Sequence, residues 1–468
     1  MSESKLPKGT LLTLIIVFLV ALIDGLDISI VSVALPTMTK DMGITLSQSS
    51  WFILSYVLGL AALLLPFGKM AKNERVKKFI IWGTIIFGVS SLMCALSTNF
   101  WMLVAFRLIQ GVAAAMMSSA LPSIIVHMLP VDRKGLGMSV MGASSGIALI
   151  AGPVLGGFLT SAFSWHAVFI INVPICLVIV ALAAKHLPSD GTPDRSKDPT
   201  RLGGLSAMIF IGSVLTILED LGDPDLNTIG KIVCGILMVI SLITLIISTR
   251  RDVNKAIIAP KMLFNSEYFL VGMSFLLCTI VVAGANYLLP YLLQEYWGMS
   301  PMRSSLYLTA ISVAMVTTVL PVGGLCDIYG CKGPVMVAII MRSLFCILMI
   351  VMVAEDVEPM MLLIPMIAFG VSHAFSGTAQ PTRMIHHATP GYEDEATNFM
   401  LVVNYVASAL GCVLFALVYS ITSGTDVHTE YLPALAEGFT GTMWFSLILL
   451  LGAMICTLVV KNKIVKKE

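Results

Sequence analysis

Two carboxylates and one guanidinium fall inside long apolar stretches of this sequence. Asp24 and Asp27 lie in the apolar run 11–33, and Arg107 lies in the run 101–121. Carboxylates at positions i and i+3 share one face of a helix. Two such groups cannot both ionise cheaply in a poorly hydrated cavity, so one of them could bind and release a proton. The alternative is that Asp24 is solvated and Asp27 is simply paired.

Arg107 is the best candidate partner for Asp27 if both runs are membrane-crossing helices. Each residue lies about six positions from the outer end of its run, which is a depth of roughly 9 Å. Gln110 then comes level with Asp24. An ion pair would keep Asp27 charged until a conformational change separated it from Arg107. We therefore predict that Asp27, Asp24 and Arg107 form a proton-coupling group; the alternative is a static pair that fixes helix packing.

The composition requires a membrane around these residues. The chain has 468 residues, of which 57% are apolar and only 12% are charged, and its mean hydropathy is +0.94. Soluble domains carry about 25% charged residues. A formal net charge of +1 offers no basic face to a nucleic acid. We expect a multi-pass protein of the plasma (inner) membrane, with the lipid bilayer as its surroundings.

Fourteen apolar runs approach the length of about 20 residues that a spanning helix needs. If the N-terminus is cytoplasmic, 23 of the 28 Lys and Arg fall on the cytoplasmic side, as the positive-inside rule requires. We predict an all-α polytopic fold with 14 transmembrane helices and both termini in the cytoplasm. The runs lie near 11–33, 51–70, 79–97, 101–121, 138–160, 166–184, 203–221, 229–249, 268–294, 303–323, 334–354, 360–380, 398–420 and 441–460.

Two of the predicted cytoplasmic loops resemble each other. Gly68 to Lys78 follows the second run and Gly323 to Lys332 follows the tenth, each two residues after a proline. This offset fits two six-helix bundles separated by two extra helices, a transporter architecture with its binding site between the halves. We predict an N-terminal bundle at 1–185, a cytoplasmic linker with two extra helices at 186–262, and a C-terminal bundle at 263–468.

Five motifs of the N-terminal half occur in a fixed order. They are Leu26–Pro36, Trp51–Leu58, Arg107–Gly111, Gly146–Gly157 and Trp165–Pro174. They resemble, in the same order, motifs of the major facilitator superfamily, in particular its fourteen-helix drug:proton antiporter family of EmrB/QacA type. The resemblance implies the major facilitator fold and a multidrug efflux antiporter. Such a protein exports amphipathic drugs or toxic compounds in exchange for protons, and the proton gradient is its energy source.

The resemblance and the spacing of small residues, and for Arg342 its charge within an apolar run, single out a set of gating or structural positions. These are Gly68, Gly146, Gly152, Pro153, Gly156, Gly157, Gly323, Asp327, Gly330 and Arg342. Small residues let helices approach closely. The sequence departs from the family at Lys72, where Asp is usual, at Arg75, where Gly is usual, and at Asn404, where many relatives carry Arg. Whether Lys72 alters gating stays open at this point.

Polar residues within the runs are candidates for lining a substrate cavity. They are Asp24, Tyr56, Gln110, Asn286, Tyr287, Gln294, His373 and Asn404. No carboxylate lies deep in the last six runs, whereas Arg342 and His373 do. This favours an alternative, a narrow-specificity proton-coupled exporter or importer of one metabolite, organic anion or lipid-like amphiphile.

The sequence contains no catalytic constellation. It has no Walker A sequence that would bind ATP and no H-E-x-x-H metal motif. We therefore expect a transporter and not an enzyme, with no metal and no bound cofactor. Its partners are a small amphipathic molecule and protons, and we expect a monomer.

Overall fold

The computed structural model describes residues 8–72, 75–129, 134–191, 201–222, 228–251, 265–355, 357–388, 393–424 and 432–462. Helices dominate these residues. In chain order they are α1 (Lys8–Met42), α2 (Leu46–Lys72), α3 (Val76–Ala95), α4 (Phe100–Met128), α5 (Lys134–Ala162), the single turn α6 (Ala167–Ile170), α7 (Asn172–His186), α8 (Arg201–Gly222), α9 (Thr228–Arg251), α10 (Ser266–Tyr291, continued by a π-helical turn at Leu292–Tyr296), α11 (Pro301–Tyr329), α12 (Lys332–Ala354), a 3₁₀ turn (Pro359–Leu362), α13 (Leu363–His386), α14 (Glu393–Ser423) and α15 (Leu432–Val459).

Within the described residues, 12 helices are long and apolar enough to cross a bilayer. The all-α polytopic fold is thereby confirmed. The two extra helices of the sequence interpretation correspond to α8 and α9. The count of 14 spans and the cytoplasmic termini stay predictions, and so does the three-part domain division. Some helices exceed the predicted runs: α1 extends to Met42, beyond the run 11–33, and α15 begins at Leu432, before the run 441–460.

Residues 1–37 and 51–208 make up the first of two compact units. In this unit α3 packs against α4 and α7. Helix α5 lies close to α1, since a Cβ added to Gly156 would come 2.7 Å from the carbonyl oxygen of Ile30. Helices α2 and α4 approach just as closely, because a Cβ on Gly59 would come 2.5 Å from the carbonyl oxygen of Leu108. Only glycine permits this distance between backbones.

Residues 38–50 and 209–468 make up the second unit. Here α12 packs against α13 and α15, as α3 does against α4 and α7 in the first unit. Helix α14 approaches α10 at Gly411, where a Cβ would come 2.6 Å from the carbonyl oxygen of Ile280. The repeat first visible in two loops therefore extends to the packing of the helices that follow them.

The helices α3 and α12 begin in similar ways. Asp190 Oδ1 and Oδ2 accept hydrogen bonds from the backbone N–H groups of Lys77 (2.8 Å) and Lys78 (2.9 Å) at the start of α3. Asn462 Oδ1 accepts from the backbone N–H of Lys332 (3.3 Å) at the start of α12. Each acceptor comes from the segment after the last helix of its own bundle. These contacts satisfy N–H groups that a helix leaves unpaired.

We expect Asp190→Ala to lower the stability of the protein by about 1 kcal/mol, because the first turn of α3 loses its capping carboxylate. Asp190→Asn should lose less, since an amide oxygen can still accept. Thermal unfolding of the purified protein measures both. Equal stability of Asp190→Ala and the unmodified protein would contradict the assignment.

Gly156→Ala tests the close approach of α5 to α1. The added methyl group would meet the Ile30 backbone, so we expect a loss of about 1–3 kcal/mol from overpacking. The matched control is Gly142→Ala on the same helix, where a Cβ meets nothing within 4 Å. Thermal unfolding should separate the two variants, and equal losses would show that the helices can move apart at no cost.

Candidate functional site

Asp27 lies at the centre of a buried polar network in the first unit. Its side chain is fully buried, and Oδ2 accepts a hydrogen bond from Arg107 Nη1 at 2.5 Å. Its other oxygen, Oδ1, accepts from Gln110 Nε2 (2.8 Å) and from Asn172 Nδ2 (2.9 Å). The carboxylate is thus surrounded by three donors from two helices other than its own. A buried charge is tolerable only with such partners.

Arg107 is fixed to α2 as well as to Asp27. Its Nε donates to the carbonyl oxygen of Phe52 (2.8 Å), and its Nη1 also donates to Gln110 Oε1 (2.8 Å). The guanidinium carbon lies 4.5 Å from the ring centroid of Tyr56, a cation–π contact. The close backbone approach at Gly59 brings α2 near enough for these contacts.

Asp24 lies one helical turn from Asp27 and is only half-buried. Its Oδ1 accepts from Tyr56 Oη (2.7 Å) and its Oδ2 from Ser118 Oγ (2.8 Å). Tyr56 therefore links Asp24 to Asp27 indirectly. Its hydroxyl donates to Asp24, and its ring contacts Arg107, the partner of Asp27. The structure brings together Asp24, Asp27, Tyr56, Arg107 and Gln110.

Three polar residues of this network were given no role by the sequence. Ser91 accepts from Gln110 Nε2 (2.8 Å), Ser118 donates to Asp24, and Asn172 donates to Asp27. Asn172 belongs to a motif of the sequence and is the first residue of α7. The signal that could have identified it is an amide in an otherwise apolar run. Ser91 and Ser118 carry no such signal, because serines are common within spanning helices.

The glycines of α5 pack directly beside the acidic turn of α1. A Cβ on Gly152 would collide with Ser29, and Ser144 Oγ donates to the carbonyl oxygen of Phe18 (2.7 Å). Pro153 and Gly157 are buried, whereas Gly146 is half-buried. The α5 motif therefore positions α1, and through it Asp27.

The loop motifs are described only in part. Gly68 lies within α2 and Gly330 ends α11 with φ at +76°, a left-handed conformation that favours glycine. A Cβ on Gly330 would come 2.6 Å from Asn462 Oδ1. Gly323 and Asp327 belong to α11 and Lys72 ends α2, but the side chains of Asp327 and Lys72 lie outside the described residues.

The cavity candidates of the second unit differ in burial and in their contacts. Tyr287 is buried, and its hydroxyl contacts the carbonyl oxygen of Leu46 (2.5 Å) and Ser49 Oγ (2.8 Å). It therefore holds the hairpin tip, which is the connection between α1 and α2 at residues 38–50. Gln294 Nε2 donates to Ser304 Oγ (3.1 Å). Asn286, His373 and Asn404 are half-buried.

Arg342 is fully buried in the middle of α12. Its Nη1 donates to the carbonyl oxygen of Cys278 (3.1 Å) and its Nη2 to that of Ser372 (3.5 Å). Arg342 thus differs from Arg107, whose charge is opposed by a carboxylate.

A polytopic helical fold with a buried charged network is typical of a membrane transporter. The chain belongs to the Major Facilitator Superfamily, whose family model matches residues 17–412 and again 271–467. The crystal structure of the peptide transporter POT in complex with sulfate has the same fold. Its TM-score is 0.69 at 13% identity, over 98% of this chain and 96% of that one.

Curated relatives of the chain include transporters of two kinds. The riboflavin transporter RibZ of Clostridioides difficile (strain 630) is 27% identical over 411 residues, 87% of this chain and 88% of RibZ. The multidrug efflux pump SdrM of Staphylococcus aureus (strain N315) is 26% identical over 424 residues, 89% and 91% of the two chains. The multidrug export protein EmrB of Escherichia coli (strain K12) is 30% identical over 302 residues, 64% and 59% of the two chains.

These comparisons confirm the family resemblance and the expectation of a transporter in place of an enzyme. They also confirm a multi-pass protein of the plasma membrane. The roles assigned to individual site residues stay predictions.

Arg107→Lys tests the geometry of the network. A lysine retains the charge but cannot contact Asp27, Gln110 and Phe52 together, so we expect a loss of about 2 kcal/mol or more. Thermal unfolding of the purified protein measures it. Arg303→Lys, at an exposed position, is the matched control and should leave stability unchanged. Equal behaviour of the two variants would show that Arg107 acts only as a charge.

Proposed function

We propose that this protein is a proton-coupled antiporter that exports amphipathic compounds by alternating access. The observation that carries the proposal is the buried Asp27, opposed by Arg107 and surrounded by amide donors. A group of this kind is costly in a bilayer and is by default a functional candidate. The multidrug names of SdrM and EmrB support the substrate class.

Protonation of Asp27 would change the balance of the network. A neutral carboxyl group no longer opposes the guanidinium of Arg107, which keeps Phe52 and Gln110 as partners. The contact between α1 and α4 would weaken, whereas that between α2 and α4 would persist. A proton entering from outside would thus favour a rearrangement of the bundle, and its release to the cytoplasm would restore the ion pair.

Asp24 is suited to a second role. It is half-buried and accepts from two hydroxyl groups, so a cationic or polar part of a substrate could replace one of them. Tyr56 would transmit that exchange to Arg107, because its ring lies against the guanidinium.

A second candidate function is transport of a single metabolite or organic anion. RibZ, the relative named for riboflavin, matches most of the chain. Arg342, a buried cation that faces carbonyl groups, also favours an anionic substrate. Such a transporter would use the same proton-coupling group and the same fold.

Proton movement in sealed proteoliposomes with an imposed pH gradient tests both functions. We expect several unrelated lipophilic cations to dissipate the gradient through the unmodified protein. Asp27→Asn should reduce proton movement to the level of empty liposomes, while exchange of labelled substrate across the membrane continues. Asp190→Asn, which changes a carboxylate at a helix end, is the matched control and should behave as the unmodified protein.

Each outcome of this experiment assigns a function. Undiminished proton-driven transport by Asp27→Asn would remove Asp27 from the mechanism. A response to one compound only, or to anions only, would replace the multidrug function with the narrow one.

A further inference from the structure

The second unit contains a buried cation that no described carboxylate opposes. Arg342 is fully buried, and its hydrogen-bond acceptors are two backbone carbonyl groups. Its Nε is buried and has no acceptor. Among the side chains that the structure describes, no Asp or Glu forms an ion pair with it. An uncompensated charge in this position is costly.

A second unpaired donor lies beside the same residue of α10. Gln380 of α13 is 2% exposed; its Oε1 accepts from Ser376 Oγ (2.7 Å), and its Nε2 is buried without an acceptor. The Cys278 side chain interacts with both Arg342 and Gln380. Three helices, α10, α12 and α13, thus bring the Arg342 guanidinium and the Gln380 amide to the Cys278 side chain.

Apolar side chains contribute to the surroundings of Arg342. Phe345 lies one turn beyond Arg342 on α12, it is fully buried, and its ring centroid is 4.5 Å from that of the buried Phe369; Cys346 is buried on the same helix. His373, one residue beyond Ser372 on α13, lies within electrostatic range of Arg342 and is partly exposed. These surroundings favour a small acceptor with negative charge, such as a halide or a single carboxylate group.

We propose that Arg342 Nε and Gln380 Nε2, which lie beside Cys278, bind a monovalent anion, either a free halide or the carboxylate of a transported molecule. The anion supplies the charge that Asp27 supplies to Arg107 in the first unit. It also accepts hydrogen bonds from donors that would otherwise stay buried without a partner, which is unfavourable. The carboxylate source rests on the proposed function, whereas the halide source is independent of it.

Thermal unfolding of the full-length purified protein tests the site without any transport measurement. The probes are sodium chloride and sodium acetate, each added at constant ionic strength in place of sodium methanesulfonate, whose anion is bulkier. A ligand that binds only the folded state raises Tm with concentration, and we expect a rise of about 2–4 °C at saturating anion. A response to chloride identifies a free halide, and a response to acetate alone identifies a carboxylate. No response to either anion overturns the proposal.

Gln380→Glu is the decisive variant, because it places a carboxylate beside Arg342. We expect its Tm to match or exceed that of the unmodified protein and to become independent of added anion. A purely structural role for Gln380 would leave the anion response in place. An anion response of Gln380→Glu equal to that of the unmodified protein therefore overturns the proposal.

Arg342→Gln should also lose the anion response. Its matched control is Arg383→Gln in α13. Arg383 is likewise buried, its Nε likewise has no acceptor, and its Nη2 donates to the carbonyl groups of Thr457 (3.1 Å) and Val460 (3.2 Å). It differs from Arg342 in lying at the negative C-terminal end of α15, which opposes its charge. Arg383→Gln should retain the response. If Arg342→Gln does not fold, Gln380→Glu alone decides the question.

If acetate is the active probe, substrate exchange in proteoliposomes distinguishes the source. Arg342→Gln should then lose exchange of amphipathic carboxylates and retain exchange of amphipathic cations. Loss of the acetate response with full retention of carboxylate exchange would show a site unrelated to transport, and would overturn the substrate assignment.

Discussion

The cost of placing a charge in an apolar medium governs this structure. Asp27 can remain buried because Arg107, Gln110 and Asn172 supply donors to both of its oxygens. Those donors come from α4 and α7. Ser91 of α3 accepts hydrogen bonds from two of them, the amides of Gln110 and Asn172. One carboxylate thus requires four helices to keep a fixed arrangement. The helix packing of the first unit therefore also fixes the geometry of its buried charged network.

The two units share a similar helix packing but bury different charges. In each, the third helix packs against the fourth and the sixth, and a capping side chain from the end of the bundle begins the third helix. The first unit pairs an acid with a base. The second places a base among carbonyl groups and thiols. Two bundles with the same backbone arrangement can therefore carry different charged groups when only a few buried side chains differ.

The sequence identified residue types that are rare in apolar runs, but it could not single out residue types that are common there. Charged residues seldom occur in apolar runs, so depth alone could pair Asp27 with Arg107, and the motifs could identify the family. Hydroxyl and amide groups occur in many spans, so nothing distinguished Ser118 from its neighbours. Tyr287 shows the same limit, because the sequence could not predict that its hydroxyl holds the hairpin tip. His387 is a further example: nothing in the sequence indicated that its ring is buried between the carbonyl groups of Arg383 and Lys461, directly after α13 ends at His386.

The glycine contacts divide the first unit into two tightly joined helix pairs. Gly156 holds α5 against α1, and Gly59 holds α2 against α4. Neither pair can slide internally without a clash between a glycine and the facing backbone, so each pair would have to move as one unit. Asp27 belongs to the first pair and Arg107 to the second. The ion pair therefore joins the two helix pairs, and a change in its attraction acts on all four helices together.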